Sequence, residues 1–197
     1  SDTHSFPTRR SSDLDGANIS HITSTEIVAS RIEKAIDELS KFGLEAHAVF
    51  PQYIYEGKKK NKKIIDFEVV DGLISSGKLS LVDVNDDIIL ISLAYDADAL
   101  ILSNDSFSDH KSKSWCTSEV RKIIDNRRIK FSFVKDRFVI PLEDRCKITK
   151  CQNEKKTECN EEIDIPNFKD IVTNNLDSLF FEADILPEPV NKLIEIV

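Results

Sequence analysis

Apolar residues recur along this chain in two alternating rhythms, and the switches between them predict the order of its elements. Ser24 or Thr25 can cap a helix running to about Phe42, with Ile27, Val28, Ile32, Ile36 and Leu39 at helical spacing and Gly43 ending it. Leu44 to Phe50 alternates and then turns apolar, which predicts a strand stopped by Pro51. Ile65 to Ile74 reads as a short helix, Gly77 as a breaker, and Lys78 to Val84 as a strand. Asn85 is placed to cap a helix from Asp86 to about Tyr95, with both aspartates in its favourable first turn. Ala97 to Ser103 is an apolar run of strand length, the pattern of a strand buried on both faces. Trp115 to Asn126 is again helical, and strands follow at Ile129 to Val134 and Arg137 to Ile140.

Strand and helix thus alternate, which implies an α/β fold of three layers, a central and mainly parallel sheet with helices on both faces. Ligands of such sheets collect beyond the carboxyl ends of the strands. Asp15, Asp105 and the loop carrying Asp109 all fall at or just after predicted strand ends, and Asp87 sits at a helix N-terminus that follows a strand. All four acids are therefore expected at one edge. The folded domain is expected over residues 15–144. Arg145 to Glu162 is polar, without periodicity, and reads as a linker. Residues 163–197 regain apolar positions (Phe168, Ile171, Leu176, Phe180) and predict a helical C-terminal extension, broken by Pro187 and Pro189.

The first residues stand apart. His4 to Asp13 reads HSFPTRRSSD, which is one translation frame of a widely used short-read sequencing adapter whose last two bases open the Leu14 codon. Residues 1–14 are therefore expected to be a sequencing-adapter artefact, with the strand that belongs before Asp15 lost. Elsewhere composition excludes more than it assigns. No apolar run reaches the roughly 18 residues of a transmembrane helix, so no membrane partner is expected. No apolar signal core opens the chain, and four scattered cysteines (Cys116, Cys146, Cys151, Cys159) suit a reducing, cytoplasmic setting. A net charge of −8 argues against indiscriminate nucleic-acid binding, which leaves local basic patches to be judged on their own.

Gathering the acids has a chemical consequence. Two carboxylates about 5 Å apart repel by roughly 3 kcal/mol at an effective dielectric of 20. Four of them at one spot need protons or a cation. Oxygen ligands suit Mg²⁺ or Mn²⁺, and such an ion can activate water against phosphate. Plainer readings exist for each acid taken alone. Asp86 and Asp87 can serve the helix dipole, Asp105 and Asp109 an ordinary helix start, and Asp15-Gly16 a turn.

The strings themselves narrow the choice. DGAN at Asp15 to Asn18, VFPQ at Val49 to Gln52 and NDDIILISLAYDADALILSND from Asn85 to Asp105 resemble the NYN ribonuclease domain of the Regnase family, within the PIN-like nuclease superfamily. Asp109, Trp115 and FSFVKDRFVIPLED from Phe131 to Asp144 extend the resemblance, in order and with compatible spacing. It implies a PIN-like fold and an Mg²⁺-dependent ribonuclease with RNA as its partner. It implies Asp15 and Asp105 as direct ligands of Mg²⁺ (or Mn²⁺), Asp87 and Asp109 acting through water, and Asn18 orienting water or phosphate. The basic insert that relatives carry before the second acid is missing here. A zinc finger follows the nuclease domain in Regnase proteins; Cys146, Cys151 and Cys159 have a vaguely similar spacing, but no histidine follows them to complete a zinc site.

RNA must be held by positive charge. Lys58, Lys59, Lys60, Lys62 and Lys63 lie where the family carries basic residues, and Arg121, Lys122, Arg127 and Arg128 lie on or after the Trp115 helix. The expected function is cleavage of single-stranded or loop RNA. Two other classes fit the same fold: a catalytically inactive RNA-binding scaffold, and the toxin of a toxin–antitoxin pair. Asp13-Leu14-Asp15-Gly16 is similar to the opening of haloacid-dehalogenase phosphatases, but its first acid belongs to the adapter. The extension either packs on the nuclease domain or binds a protein partner, and a homodimer is also compatible with the sequence.

Overall fold

The computed structural model describes residues 11–23, 26–57, 63–83 and 85–154. In chain order the first elements are β1 (Ser11–Asp15), α1 (Gly16–Ser20), β2 (Glu26–Val28), α2 (Ser30–Lys41), β3 (Glu45–Pro51) and α3 (Gln52–Tyr55). Next come β4 (Lys63–Ile65), α4 (Phe67–Ser75), β5 (Leu79–Val82), α5 (Asp86–Asp96), β6 (Leu100–Leu102) and α6 (Ser108–Lys111). The last are α7 (Ser118–Arg127), β7 (Arg128–Ile129), β8 (Ser132–Val134), β9 (Arg137–Val139) and α8 (Leu142–Glu154).

Five strands form one parallel sheet in the order β5-β3-β1-β6-β7, with Asp15 opposite Val49 and Leu14 opposite both Ala48 and Leu102. The chain builds outward from β1 through β3 to β5, then returns to lay β6 and β7 on the other side. That reversal leaves a crevice between the carboxyl ends of β1 and β6, where open α/β sheets take ligands. Side chains alternate across each strand and feed two cores. Leu14, Ala48, Phe50, Leu100 and Leu102 pack with Ile32 and Leu39 of α2 and Val70 of α4. Val49 and Ile101 pack on the other face with Leu90, Ile91 and Ala94 of α5 and Val120 and Ile124 of α7. The α/β layering thus agrees with the sequence pattern. Among the described residues no helix is long and apolar enough to cross a membrane.

Four expectations need correction. The strand before Asp15 is present, and Ser11–Asp15 supplies it at the centre of the sheet. The gap between β3 and β6 must be filled, and the residues joined to Asp15 are the ones tethered there. Second, the first long helix begins only at Ser30; Glu26–Val28 pairs with Lys63–Ile65 as β2 and β4, and the expected caps Ser24 and Thr25 lie outside the described residues. Third, Ile129 to Val134 is two strands, β7 in the main sheet and β8 in a hairpin with β9. Fourth, the polar stretch from Arg145 is helical as far as Glu154. Asp144 anchors that helix, its carboxylate accepting the Lys130 N–H at 2.8 Å and pairing with Lys147 at 2.7 Å, while Ile148 is fully buried. The extension over 163–197 lies outside the described residues.

Candidate functional site

Asp15 ends β1 and caps the short helix α1. One of its oxygens accepts the Asn18 N–H at 2.9 Å and the other accepts the Ser103 hydroxyl at 2.7 Å. Gly16 follows because nothing larger fits: a Cβ there would lie 2.8 Å from the Val49 carbonyl oxygen and 3.1 Å from the Phe50 ring. Asp15 is 7% exposed, and burial pushes its carboxyl up to about 7. The charges of Asp87 and Asp86 push the same way, against the two hydrogen bonds that favour the anion.

Ser103, just past β6, is a hinge between acids. Its hydroxyl donates to Asp15 and accepts the Asp105 N–H at 3.0 Å. Asp105 then turns the chain, its Oδ1 accepting the Phe107 N–H at 2.9 Å. The turn ends at Phe107, fully buried with φ 51°, a left-handed conformation that bulky residues rarely adopt. Asn18 ties the two strand ends together, its side-chain oxygen accepting the Asn104 N–H at 3.1 Å. Asn104 in turn accepts the Phe131 N–H at 3.1 Å.

Asp87 reaches the same edge from α5. Asn85 caps that helix, its side-chain oxygen accepting the Asp87 and Ile88 N–H groups at 3.1 and 3.2 Å. On its other side Asp87 meets His110, whose Nε2 lies 3.3 Å from Oδ2 of Asp87 and 3.7 Å from Oδ2 of Asp109. The bond to Asp87 holds the His110 imidazolium above its ordinary range, with burial opposing and the charges of Asp109 and Asp105 assisting. Asp87 thus acts on Asp15, and Asp87, Asp105 and Asp109 all act on His110, which brings the four acids to the β1–β6 crevice. They form an open ring: among the described residues, no three His, Cys, Asp or Glu side chains gather tightly enough to chelate an ion unaided.

That donor set still fits Mg²⁺, which keeps several of its waters and takes only one or two carboxylates directly. Asp15 offers a buried carboxylate burdened by like charge, and Oδ2 of Asp105 has no partner among the described residues. Ser103 and His110 were not singled out by sequence. The Ser-Asn-Asp string carried the signal for Ser103, whereas the position of His110 depends on Asp87, 23 residues away.

The basic residues are less concentrated. Lys58, Lys59, Lys60 and Lys62 lie outside the described residues, and Lys63 opens β4. Arg121 is exposed on α7, close enough to the buried Cys116 for its charge to favour the thiolate. Arg128 is half-buried and donates to the Ser103 carbonyl at 3.4 Å, while its Nε is buried without a partner among the described residues. Cys116 and Cys146 are free thiols, the first buried and the second exposed.

Two solved structures of nuclear protein-only RNase P 2 (PRORP2) from Arabidopsis thaliana share this fold, with TM-scores of 0.52 and 0.53 at 20% and 19% identity. Each match covers 68% of this chain and 30% of that one, so the chain spans less than a third of the PRORP2 length. A family model described as the Zc3h12a-like ribonuclease NYN domain matches residues 9–155, about three quarters of the chain. With its acids around the switch point of a PIN-like sheet, the chain belongs to that family of ribonuclease domains.

Proposed function

We propose that this domain is a metal-dependent endoribonuclease that hydrolyses phosphodiester bonds in single-stranded or loop RNA. The observation that carries the reading is the meeting of Asp15, Asp87, Asp105 and Asp109 around one crevice from three separate segments of the chain. Asp15 and Asp105 would hold Mg²⁺ or Mn²⁺ directly, and Asp87 and Asp109 through water. When bound, the ion polarises a phosphate oxygen and makes a bound water more acidic.

The chain's own groups do the rest. The Asn18 N–H and the Ser103 hydroxyl hold Asp15 in one rotamer, so its carboxylate is fixed before RNA arrives. Asp87 and Asp109, with side chains 29% and 75% exposed, are both open to solvent and would orient and deprotonate water. An acidic crevice repels RNA, so lysines 58–60, 62 and 63 with Arg121 would supply the attraction.

The test is cleavage of a generic single-stranded RNA with Mg²⁺, Mn²⁺ or a chelator. The natural chain should cut only with metal. An Asp87→Asn, Asp105→Asn double variant should lose at least about 3 kcal/mol of transition-state stabilisation, roughly 100-fold in rate, with an unchanged circular dichroism spectrum. Metal-independent cutting, or an undiminished double variant, would refute the proposal. RNA bound but left intact would point instead to a scaffold on a nuclease fold.

A further inference from the structure

His110 lies inside the acidic edge, yet the nuclease chemistry proposed above gives it no task. Its side chain is 8% exposed and wedged between two rings, with Trp115 at 5.9 Å and Phe107 at 6.4 Å between centroids. Those rings are themselves buried, Phe107 at 0% and Trp115 at 3% exposure. The imidazole therefore has little freedom, and the wedge aims Nε2 at Oδ2 of Asp87, with Oδ2 of Asp109 next nearest. Asp87 differs. Its carboxylate stands on the first turn of α5 with its backbone capped by Asn85, but the cap fixes only the N–H and leaves the side-chain rotamer open.

We propose that His110 is a positioning residue: clamped by Phe107 and Trp115, it sets the Asp87 carboxylate facing Asp15 and Asp105 across the crevice, with Asp109 alongside. Neutral imidazole with its proton on Nε2 is sufficient, and no proton moves. The inference rests on the nuclease reading, because it names what readies that site. A merely structural histidine would account for the packing, but its removal would cost stability alone and leave metal affinity untouched. Partners that orient metal-binding groups affect affinity and rate directly, commonly by about 10- to 100-fold.

The full chain carries a built-in reporter, since Trp115 is its one tryptophan. Mn²⁺ binding should be followed by calorimetry and by Trp115 emission, beside steady-state RNA cleavage and thermal melting. His110→Leu, which keeps bulk and removes the donor, should raise the half-saturating Mn²⁺ concentration about 10- to 100-fold. It should lower kcat over a similar range and leave KM for RNA unchanged. His110→Gln, which restores an N–H donor, should recover most of both losses. Asp87→Asn leaves the histidine wedge intact and should weaken Mn²⁺ by a comparable factor, and combining it with His110→Leu should add little.

Unaltered Mn²⁺ binding in a folded His110→Leu protein would overturn the proposal. So would equal losses in the Leu and Gln variants, or independent, additive losses from His110→Leu and Asp87→Asn. If His110→Leu does not fold, His110→Gln and Asp87→Asn decide alone: Mn²⁺ binding near natural for the first and weakened for the second is the supporting result. A natural chain that binds Mn²⁺ but cuts no RNA would end the ribonuclease reading, while the Mn²⁺ titrations would still decide the role of His110.

Discussion

Asp13 and Asp15 lie two residues apart on β1 and turn to the same face of the sheet, toward α5, yet the fold treats them differently. Asp15 has an N–H and a hydroxyl on its oxygens, whereas Oδ2 of Asp13 is buried without a hydrogen-bond partner among the described residues. Burial pushes the Asp13 carboxyl up to about 7. A bare carboxylate in the middle of a central parallel strand is a misfit. The sign of its effect on stability follows. In the folded chain the proton is held up to about pH 7, while in the unfolded chain it leaves near 3.8, so the stabilisation is complete below 3.8 and lost as pH rises through 7. Asp13→Val should therefore stabilise the domain more at pH 8 than at pH 5, by about 3 kcal/mol on the tenfold-per-unit rule. Urea unfolding of both proteins at the two pH values checks this. A gain independent of pH would mean that the Asp13 carboxylate is solvated in the folded chain.

Elements differ in how far local sequence determines them. Asn85 was legible as a cap because a cap is made within one turn, and its side-chain oxygen accepts the Asp87 and Ile88 N–H groups. Asn85→Ala should cost about 1 kcal/mol and lower the melting temperature by several degrees. It should also weaken Mn²⁺ binding, because the turn it loosens carries Asp87; Asn85→Ser should keep both properties. A calorimetric titration beside a melting curve separates the two losses. By contrast β2 was hidden, because Ile27 has helical spacing in the sequence but pairs with Ile64, 37 residues on. The helical course of α8 was hidden as well: its polar run is held by the Asp144 bond to the Lys130 N–H and by the buried Ile148 side chain. The same division runs through the site. Aspartates at strand ends were legible from pattern, while Ser103 and His110 owe their places to Asp15 and Asp87, which lie far off in sequence.

At the scale of the whole molecule, the sheet order forces a concentration of charge that the fold does not itself neutralise. Because the chain reverses between β1 and β6, the ends of those strands and the start of α5 must share one edge, and each brings an acid. A protein of net charge −8 has little long-range positive field to offset them. Burial first, and then the charges of Asp87 and Asp86, raise the Asp15 carboxyl. A divalent cation that binds only the folded ring should stabilise the molecule by mass action, about 2.7 kcal/mol at a concentration 100 times the dissociation constant. For a domain of this size that is a rise in melting temperature on the order of 5 to 10 °C. Screening alone would also relieve repulsion between exposed acids, so the comparison must hold ionic strength constant with NaCl. Under that control Mg²⁺ or Mn²⁺ should raise the melting temperature of the natural chain, and Asp15→Asn with Asp105→Asn should abolish the rise. Equal melting temperatures in MgCl₂ and in NaCl of matched ionic strength would mean that the ring sheds its charge through protons rather than through a bound ion.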